Sequence, residues 1–447
     1  MKVSVVSSVC LVSTILLSTV GTASSSLVGS IRAAAASRNT NNDTLLSSLH
    51  SANAKTNKNH EKVLVFVLAG QSNMEGHGEV NTTNTTTSKL LNGTLMYQLL
   101  DPRTRDEFGV LWDSSKSNWN VWKNIKMWFN EAGTEMGNNG SKIPGIPNQD
   151  YSAGDLTVGY GTGGPVGNGN NFIGPELGFG IGLGFPKDQR VLIIKTAWGG
   201  KSIAHDFRPP SSTRMANGDP YCQPPDCDPT QVGHYYQMMI QNVNRIMAPG
   251  VIGEMYPDLA NLDPEIAGFG WFQGWNDGCS LNDTAAYETN MVNLIQDLRE
   301  EWNAPHLPVN IALSGFDGFT NVESKRQPQD CWDGPNASKI NCDCGPQDHG
   351  CRRIDIVLSQ FGAANLTRHP ELECCVVASE TRGFWREAEY SPNKNQGYHF
   401  YHNAETHFLV GKAMGRAMVK AISEQQNYIW KKEKMISTDS TIHQVEK

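Results

Sequence analysis

One serine in the sequence stands in a position that suits nucleophilic chemistry. Ser72 lies in the segment GQSNM, directly after the apolar run Val63–Ala69. A serine that opens a helix behind a buried strand exposes its hydroxyl near backbone N–H groups, which can stabilise an anion formed during attack. Such a serine needs an adjacent base, because its own pKa makes it a poor nucleophile. The alternative interpretation is that Ser72 only caps the helix, as serine commonly does.

Three histidines near the other end of the chain are candidates for this base. His399, His402 and His407 lie within the segment Gln396–Gly415. An imidazole accepts and returns protons near neutral pH, so a histidine suits the role of general base. His402 is expected in a loop before the final helix, and His407 is expected within that helix, where it would cover the solvent face.

Further polar positions follow two other apolar runs. Gly199 and Gly200 come after the run Val191–Ala197, and Gln273 ends a later run, shortly before Asp277. The glycines either provide a turn that requires positive φ or direct a peptide N–H at an oxyanion. Gln273 is either a third donor to that oxyanion or a satisfied buried polar group. Asp277 either holds a loop or a sugar hydroxyl, or forms an Asx turn.

The elements that must position these residues follow from apolar runs and helical spacing. Five runs are predicted as buried strands: Val63–Ala69, Val191–Ala197, Ile266–Gln273, Val309–Ser314 and Cys374–Ser379. Helices are predicted over Tyr235–Met247, Tyr287–Trp302 and Asn403–Ile422. This alternation indicates an α/β fold with a parallel sheet and helices on both faces, whose ligands bind at the carboxyl ends of the strands. Gly133–Asn171 and Phe316–Cys351 are expected as surface insertions.

Four blocks of the sequence resemble one enzyme family, in the family's order. They are LAGQSNMEGHG (68–78), KTAWGGKSI (195–203), GFGWFQGWNDG (268–278) and QGYHFYHNAETHFLVGKAMG (396–415). These blocks resemble the SGNH hydrolase superfamily, specifically its sialate O-acetylesterase-like carbohydrate esterase branch. The resemblance implies a flavodoxin-like three-layer α/β/α sandwich with a central parallel sheet and long loop insertions.

The resemblance also implies roles for individual residues. Ser72 corresponds to the nucleophile, and His399 matches the position of the family's histidine better than His402 does. Gly199, Gly200 and Gln273, together with the N–H of Ser72, would form the oxyanion hole. Such an enzyme works without a metal or an organic cofactor.

The sequence departs from the family at the acid. The family commonly carries Asp-x-x-His, whereas Gln396 stands three positions before His399. Three consequences are open: a Ser-His dyad with Gln396 or a backbone carbonyl fixing the imidazole, a different carboxylate such as Asp277 or Glu405, or loss of activity. A triad enzyme that lacks its acid retains part of its catalysis.

The expected function is hydrolysis of O-acetyl esters on carbohydrates, such as sialate or polysaccharide esters, through an acyl-serine intermediate. The alternatives are a catalytically silent carbohydrate-binding or cell-surface protein on the same fold, and an acetyl transferase that uses the same residues. Four tryptophans are candidates for stacking on a sugar ring or for ordinary packing: Trp198, Trp271, Trp275 and Trp385. Three residues are candidates for substrate contacts or for a salt-bridged loop: His205, Asp206 and Arg208.

Charge and length narrow the class of protein further. The 447 residues carry 45 Asp and Glu against 37 Lys and Arg, a formal net charge of −8. This acidic balance argues against nucleic acid as a partner. The predicted organisation is a signal peptide (1–23), a disordered spacer (24–61), one catalytic domain (62–422) and a polar tail (423–447).

The beginning of the chain and its sequons indicate the secretory pathway. An uncharged run, Val3–Val20, follows Lys2 and precedes small residues, as in a cleaved signal peptide. A retained membrane anchor and an organellar transit segment are the alternatives. Eight N-x-[ST] sequons support passage through a glycosylating lumen: Asn42, Asn81, Asn84, Asn92, Asn139, Asn282, Asn336 and Asn365.

Ten cysteines fit an oxidising compartment, and Cys10 lies in the predicted signal segment, which leaves nine. One group lies in the second insertion and is expected to form disulfides rather than a zinc site: Cys331, Cys342, Cys344 and Cys351, with His349 nearby. Cys222 and Cys227 are expected to pair locally. Cys374 and Cys375, adjacent on a predicted strand, would point to opposite faces and serve different partners.

Overall fold

The structure is a computed structural model that describes residues 62–130, 151–162, 171–212, 232–319 and 350–445. The predicted signal peptide and spacer lie outside these ranges, as do five cysteines: Cys222, Cys227, Cys331, Cys342 and Cys344. Within the described ranges, no helix combines the length and apolar character that a membrane crossing requires.

Eleven strands and nine α-helices are present in the described residues. The strands are β1 (Lys62–Gly70), β2 (Gly78–Glu79), β3 (Trp112–Asp113), β4 (Asn118–Trp119), β5 (Trp122–Asn130), β6 (Tyr151–Leu156), β7 (Phe172–Ile173), β8 (Arg190–Ala197), β9 (Asp263–Phe272), β10 (Val309–Ala312) and β11 (Val376–Ser379). The helices are α1 (Ser72–Glu75), α2 (Leu95–Leu100), α3 (Arg105–Phe108), α4 (Pro175–Gly182), α5 (His234–Ile246), α6 (Val251–Met255), α7 (Leu281–Glu301), α8 (Gly350–Ala363) and α9 (Ala404–Val445). Short 3₁₀ turns connect several of them, including Asp277–Cys279 and Gly397–His402.

Seven of the strands form one sheet in the order β11-β10-β9-β1-β8-β5-β6. All neighbours are parallel except β5 and β6, which pair antiparallel at one edge. The prediction of an α/β fold with a central, mostly parallel sheet is therefore confirmed. The five predicted strands all belong to this sheet.

Alternate residues of β1 pack against helices on opposite faces of the sheet. Val65 and Val67 belong to a buried cluster that includes residues of α5 and α7. Phe66 instead contacts Phe179 of α4, with ring centroids 5.6 Å apart. Burial on both faces explains why this strand is a continuous apolar run.

Two strands of this seven-stranded sheet were not predicted, β5 and β6. In β5 the last six residues are buried, but Lys126 interrupts the apolar run. The buried lysine is neutralised by two carboxylates, with Nζ 2.6 Å from Asp155 Oδ1 and 2.9 Å from Asp258 Oδ2. Strand β6 lies inside Gly133–Asn171, so that predicted surface insertion in fact contributes an edge strand to the sheet.

Glycines let α4 and α9 touch backbone to backbone. A Cβ added to Gly178 of α4 would lie 2.0 Å from the Phe408 carbonyl oxygen, and one added to Gly411 of α9 would lie 1.9 Å from the Pro175 carbonyl oxygen. Gly182 and Gly415, one turn further along the two helices, also approach the opposite backbone: a Cβ added to them would lie 2.5 Å from the Lys412 and 2.3 Å from the Phe179 carbonyl oxygen, respectively. Helix α9 continues past the predicted end at Ile422 and through the predicted polar tail as far as Val445.

Cys374 and Cys375 form a disulfide with each other. The prediction that they serve different partners is therefore wrong. The chain is not extended here: β11 begins only at Val376, and Cys375 has φ +70°. In this conformation the two side chains do not alternate across a sheet.

Candidate active site

Ser72 lies where the sequence predicted, at the start of the short helix α1 and directly behind the buried strand β1. The N–H groups of Met74 and Glu75 donate to the Gln71 carbonyl oxygen at 2.8 and 3.0 Å, which closes the turn around the serine. The Ser72 side chain is 6% exposed. The tight turn therefore places the hydroxyl at the carboxyl edge of the sheet, where ligands of parallel sheets bind.

A buried ion pair fixes the far end of α1. Lys195, on β8, is completely buried and lies 2.9 Å from Glu176 Oε2 at the start of α4. Its Nζ also donates to the Glu75 carbonyl oxygen at 2.7 Å. Burial raises the pKa of the Glu176 carboxyl, and the adjacent lysine opposes that rise. The pair thus anchors the serine turn to the sheet at the cost of desolvating two charges.

The predicted glycine turn lies beside the serine. A Cβ added to Gly199 would be 3.7 Å from Ser72 Cβ, so the open side of this glycine faces the serine. Gly200 has φ +71°, a conformation that favours glycine. The Trp198 N–H donates to the Gly70 carbonyl oxygen at 3.2 Å and ties the turn to the end of β1.

Gln273 does not reach into the site as predicted. Its Nε2 donates to Gln71 Oε1 at 3.1 Å, to the Lys201 carbonyl oxygen at 3.0 Å and to Asp277 Oδ2 at 2.5 Å. Both amide hydrogens thus have acceptors inside the protein. These contacts do not support the role of Gln273 as an oxyanion donor, and they give it the role of binding the serine segment to the glycine loop.

Asp277 has a structural position rather than a substrate-facing one. It is fully buried, and its two carboxylate oxygens accept from the backbone N–H groups of Ile203 and Ala204, both at 3.0 Å. The predicted loop-holding role is thus correct, and a contact with a sugar hydroxyl is excluded by burial. Burial and the nearby Asp283 raise the pKa of Asp277 to about 7, against the hydrogen bonds it accepts.

Two further residues of this network were missed from the sequence. Gln71 Nε2 donates to Asn276 Oδ1 at 3.0 Å, and Asn276 Nδ2 donates to the Gly200 carbonyl oxygen at 2.8 Å. Together they connect the serine turn, the end of β9 and the glycine turn. The sequence signal for Gln71 is its place in GQSNM, directly before the serine. The residue is buried there, so its amide must find hydrogen-bond partners within the protein.

The histidine segment lies next to the serine segment. Asn73 Nδ2 donates to the Tyr398 carbonyl oxygen at 2.8 Å, which joins residues 325 positions apart in the chain. His399 is thereby adjacent to the residues that flank Ser72. Among the described residues, the Ser72 hydroxyl and the His399 ring share no hydrogen bond; such bonds are often long in proteins without substrate and shorten in the complex.

His399 belongs to a cluster of three half-buried histidines. Its ring stacks on His77, with centroids 3.7 Å apart and planes 7° from parallel, and His402 lies 6.1 Å away. His77 was not among the predicted site residues, although it lies in the block that carries Ser72. His407 is buried inside α9, so the expectation that it covers the solvent face is wrong.

Gln396 stands at the position of the missing acid, and its side-chain oxygen faces two histidines. His399 Nδ1 lies 3.5 Å from Gln396 Oε1, and His402 Nε2 contacts the same oxygen. On its other side, His402 Nδ1 lies 3.0 Å from Glu79 Oε1. Glu405 is directed elsewhere, since both of its oxygens accept from Arg386, at 2.5 and 3.0 Å.

The pKa values of His77 and His399 are lowered, so both rings are neutral at pH 7. Burial, together with the nearby His402, lowers the pKa of His399 to about 4. Burial and the neighbouring histidines lower the pKa of His77 still further. A neutral His399 at pH 7 can accept a proton, which is the state that a general base requires.

The three histidines are also the group of metal-ligating side chains in the described ranges, with one nitrogen of each within 4.8 Å of the others. Their geometry does not suit a shared ion. Imidazole nitrogens bind a metal in the ring plane, and the planes of His77 and His399 are parallel and stacked. Both nitrogens of His402 already contact Glu79 and Gln396.

Two of the four candidate tryptophans belong to the core, and the other two pack against aromatic residues of the histidine segment. Trp198 and Trp271 are buried at 3% and 0% exposure and belong to the core. Trp275 is half-buried and faces Tyr398, with ring centroids 5.9 Å apart, and Tyr398 is 38% exposed. Trp385 packs against Phe400, with centroids 5.9 Å apart. The pair Trp275 and Tyr398 is therefore an aromatic surface that includes the residue preceding His399.

The polar residues after the glycine turn form a loop network. His205 Nε2 lies 3.3 Å from Asp283 Oδ1, and Lys201 Nζ lies 3.5 Å from Asp206 Oδ1. Asp206 Oδ2 also accepts from the Ser202 N–H at 2.8 Å. Arg208 is buried. The salt-bridged loop is thus the interpretation that the structure favours for these residues.

Comparison with known proteins agrees with the resemblance seen in the motifs. Residues 158–345 match the family model described as SASA, carbohydrate esterase, sialic acid-specific acetylesterase. The matched region contains Gly199, Gly200, Gln273 and Asp277, whereas Ser72 and His399 lie on either side of it. The match confirms the predicted resemblance. None of the curated proteins matches the chain significantly.

Three solved structures are similar to this chain at low sequence identity. A protein from Arabidopsis thaliana is 15% identical, with a TM-score of 0.43, over 80% of this chain and 98% of that one. A carbohydrate acetylesterase from Xanthomonas citri is 14% identical, with a TM-score of 0.39, over 79% of this chain and 55% of that one. NanS is 13% identical, with a TM-score of 0.35, over 76% of this chain and 85% of that one.

Proposed function

We propose that the protein is an esterase that hydrolyses O-acetyl esters on carbohydrates, with Ser72 as nucleophile and His399 as general base. The family match supports the reaction class and an acetylated carbohydrate as substrate. The observation that carries the assignment of residues is the hydrogen bond from Asn73 to the Tyr398 carbonyl oxygen. It joins the residue after Ser72 to the residue before His399, although the two lie 325 positions apart in the chain.

The proposed reaction proceeds through an acetyl-serine. Ser72 Oγ attacks the acetyl carbonyl carbon while its proton passes to His399 Nε2, and the backbone N–H groups of Ser72 and the Gly199 turn stabilise the oxyanion. The bond from carbon to the sugar oxygen then breaks, and His399 protonates that oxygen. Water, deprotonated by the same imidazole, attacks the acetyl-serine and releases acetate.

Trp275 and Tyr398 are proposed to contact the sugar. Their rings are half-buried or exposed and lie next in sequence to Asn276 and His399, which belong to the site. An aromatic face offers the apolar surface that a sugar ring covers, while the polar edge of the tyrosine stays in water.

The test uses Ser72→Ala and acetylated sugars as substrates. We expect kcat to fall at least about 10³-fold, since the nucleophile and its covalent route are lost. A fluorophosphonate probe is expected to label the wild type at Ser72 and to leave Ser72→Ala unlabelled. Ser115→Ala is the matched control, because Ser115 lies in an exposed turn beside Asp113. Undiminished hydrolysis by Ser72→Ala would refute the assignment.

A second candidate function is carbohydrate binding without catalysis on the same fold. It is favoured by the glutamine at position 396 and by the absence, among the described residues, of a hydrogen bond between Ser72 and His399. This function predicts no fluorophosphonate adduct on the folded wild-type protein, together with saturable binding of acetylated glycans that Ser72→Ala leaves unchanged.

We also propose that the protein passes through the secretory pathway. The N-terminal sequence and the sequons support this localisation. The five sequon asparagines in the described ranges all have exposed side chains: Asn81, Asn84, Asn92, Asn282 and Asn365.

A further inference from the structure

The general base of a serine esterase must hold its proton on the correct nitrogen. His399 can accept from Ser72 through one ring nitrogen only if the other carries the hydrogen, and an ionised acid normally fixes that tautomer. In this chain the residue three positions before His399 is Gln396, whose amide can present either an oxygen or an NH₂ group to the ring. An additional group must therefore orient the amide.

The structure provides such a group on strand β2. Glu79, on β2, lies 3.0 Å from His402 Nδ1, and His402 Nε2 contacts Gln396 Oε1, the same oxygen that faces His399 Nδ1. The side chains of Glu79 and His402 are 14% and 13% exposed. The four residues thus form one continuous, largely desolvated chain of contacts.

The direction of each hydrogen bond follows from the acid at its end. A carboxylate only accepts, so His402 Nδ1 donates to Glu79. His402 Nε2 contacts Gln396 Oε1, an oxygen that only accepts, so this nitrogen is the donor of that hydrogen bond and the amide presents its oxygen. That oxygen then accepts from His399 Nδ1–H, which leaves His399 Nε2 free to act as the base.

Other carboxylates near the site are engaged elsewhere. Asp277 is fully buried under the glycine loop and accepts from Ile203 and Ala204. Glu405 accepts twice from Arg386. Glu75 Oε2 lies towards the glycine turn, 3.2 Å from a Cβ added to Gly199.

We propose that Glu79 takes the place of the missing aspartate, with His402 and Gln396 as positioning residues that transmit its effect to His399. This inference rests on the proposed esterase function. It assigns no proton transfer to Glu79: the carboxylate accepts from His402 Nδ1 and holds that ring in place, His402 fixes the Gln396 amide, and the amide fixes the tautomer of His399. Only His399 exchanges protons with Ser72 and the leaving sugar.

The experiment is a rescue cycle on the full-length protein. In Glu79→Gln we expect kcat to fall about 100-fold, the size of a general-base contribution, with KM changed less than about twofold. Gln396→Asp places a carboxylate directly beside His399 and is expected to retain at least the wild-type kcat. Adding Glu79→Gln to Gln396→Asp is then expected to reduce kcat less than about threefold.

A matched control is Glu107→Gln, which removes a carboxylate paired with Lys412 away from the histidines and is expected to leave kcat unchanged. If Glu79→Gln lowers kcat by the same factor in both backgrounds, Glu79 is merely structural and the inference is wrong. It is also wrong if Glu79→Gln has the wild-type kcat.

A second measurement does not depend on esterase activity. In ¹⁵N-histidine NMR spectra, assigned by comparison with His399→Gln, the wild type is expected to show His399 protonated at Nδ1. Glu79→Gln is expected to move that proton to Nε2 or to mix the two tautomers. An unchanged tautomer would overturn the inference, whereas a wild type without esterase activity but with this tautomer shift would overturn only the proposed function.

Discussion

At the scale of single residues, Asp277 illustrates how a buried carboxylate organises the site without contacting substrate. It accepts from the N–H groups of Ile203 and Ala204 and from Gln273. These bonds fix the loop behind the Gly199 turn relative to the end of β9. The geometry of the glycine turn, the proposed oxyanion site, therefore depends on a residue that is fully buried.

The raised pKa of Asp277 gives a prediction for stability against pH. The unfolded carboxyl has a pKa of about 3.9, and the folded one about 7, so the folded protein binds the extra proton between these values. Its contribution to the free energy of unfolding is therefore largest below about pH 4 and is lost as the pH rises to about 7, at up to about 1.4 kcal/mol per pH unit. Urea denaturation at several pH values measures this slope.

Asp277→Asn is the variant that tests the origin of the slope. The amide cannot titrate, so this part of the pH dependence is expected to disappear. The variant also turns an NH₂ group towards a backbone donor, which is expected to cost about 1–3 kcal/mol. A slope that survives in Asp277→Asn would assign the pH dependence to another group.

The sequence predicted the proposed reacting residues but not the residues proposed to orient them. Ser72 and Gly199 stand in short motifs whose chemistry is local, and the structure places the open side of Gly199 towards Ser72. Glu79 carries no such signal, because its importance depends on His402, which lies 323 residues later in the chain. Gln273 was predicted to donate to an oxyanion, whereas its acceptors include Gln71 and the Lys201 carbonyl oxygen. The sequence does not show that these segments meet.

At the scale of secondary-structure elements, the contact between α4 and α9 determines where the histidine segment lies. Helix α9 begins directly after the 3₁₀ turn that carries His399 and His402. Gly411 brings the helix so close to α4 that its Cα faces the Pro175 carbonyl oxygen. Gly411 and Gly415, like Gly178 and Gly182, are four residues apart, and this spacing was not recognised from the sequence because the partner helix is set by the tertiary fold.

Gly411→Ala is expected to destabilise the protein. The new Cβ would lie 1.9 Å from the Pro175 carbonyl oxygen, so the two helix backbones must separate, at a cost of about 1–3 kcal/mol or more. Gly109→Ala is the control, because a Cβ there meets nothing within 4 Å and the residue has φ −59°. Thermal denaturation of the two variants compares them; equal midpoints would show that α9 adjusts without cost.

The edge of the sheet was the part of the fold that sequence patterns described least well. Strand β5 was missed because Lys126 breaks its apolar run, and the two carboxylates that neutralise the lysine come from β6 and from a turn before β9. The disulfide between Cys374 and Cys375 was missed because periodicity assigned both residues to an extended strand. In both cases the deciding interaction is tertiary.

At the scale of the whole molecule, the exposed sequons give a prediction about processing. When the full chain is expressed in a eukaryotic secretory host, we expect N-linked glycans on Asn84 and Asn365, which lie in exposed turns. Glycosidase treatment should increase the electrophoretic mobility, and peptide mass spectrometry should locate the sites. Asn84→Gln together with Asn365→Gln should remove the corresponding glycans; an unglycosylated product would argue against the proposed localisation.

The position of β1 at the centre of the sheet has a consequence for synthesis on the ribosome. Among the described strands this one is translated first, yet its neighbours β8 and β9 begin only at Arg190 and Asp263. At typical elongation rates the apolar segment waits on the order of ten seconds for its first partner. During that interval the nascent chain exposes an unpaired hydrophobic strand, which is the kind of segment that molecular chaperones cover.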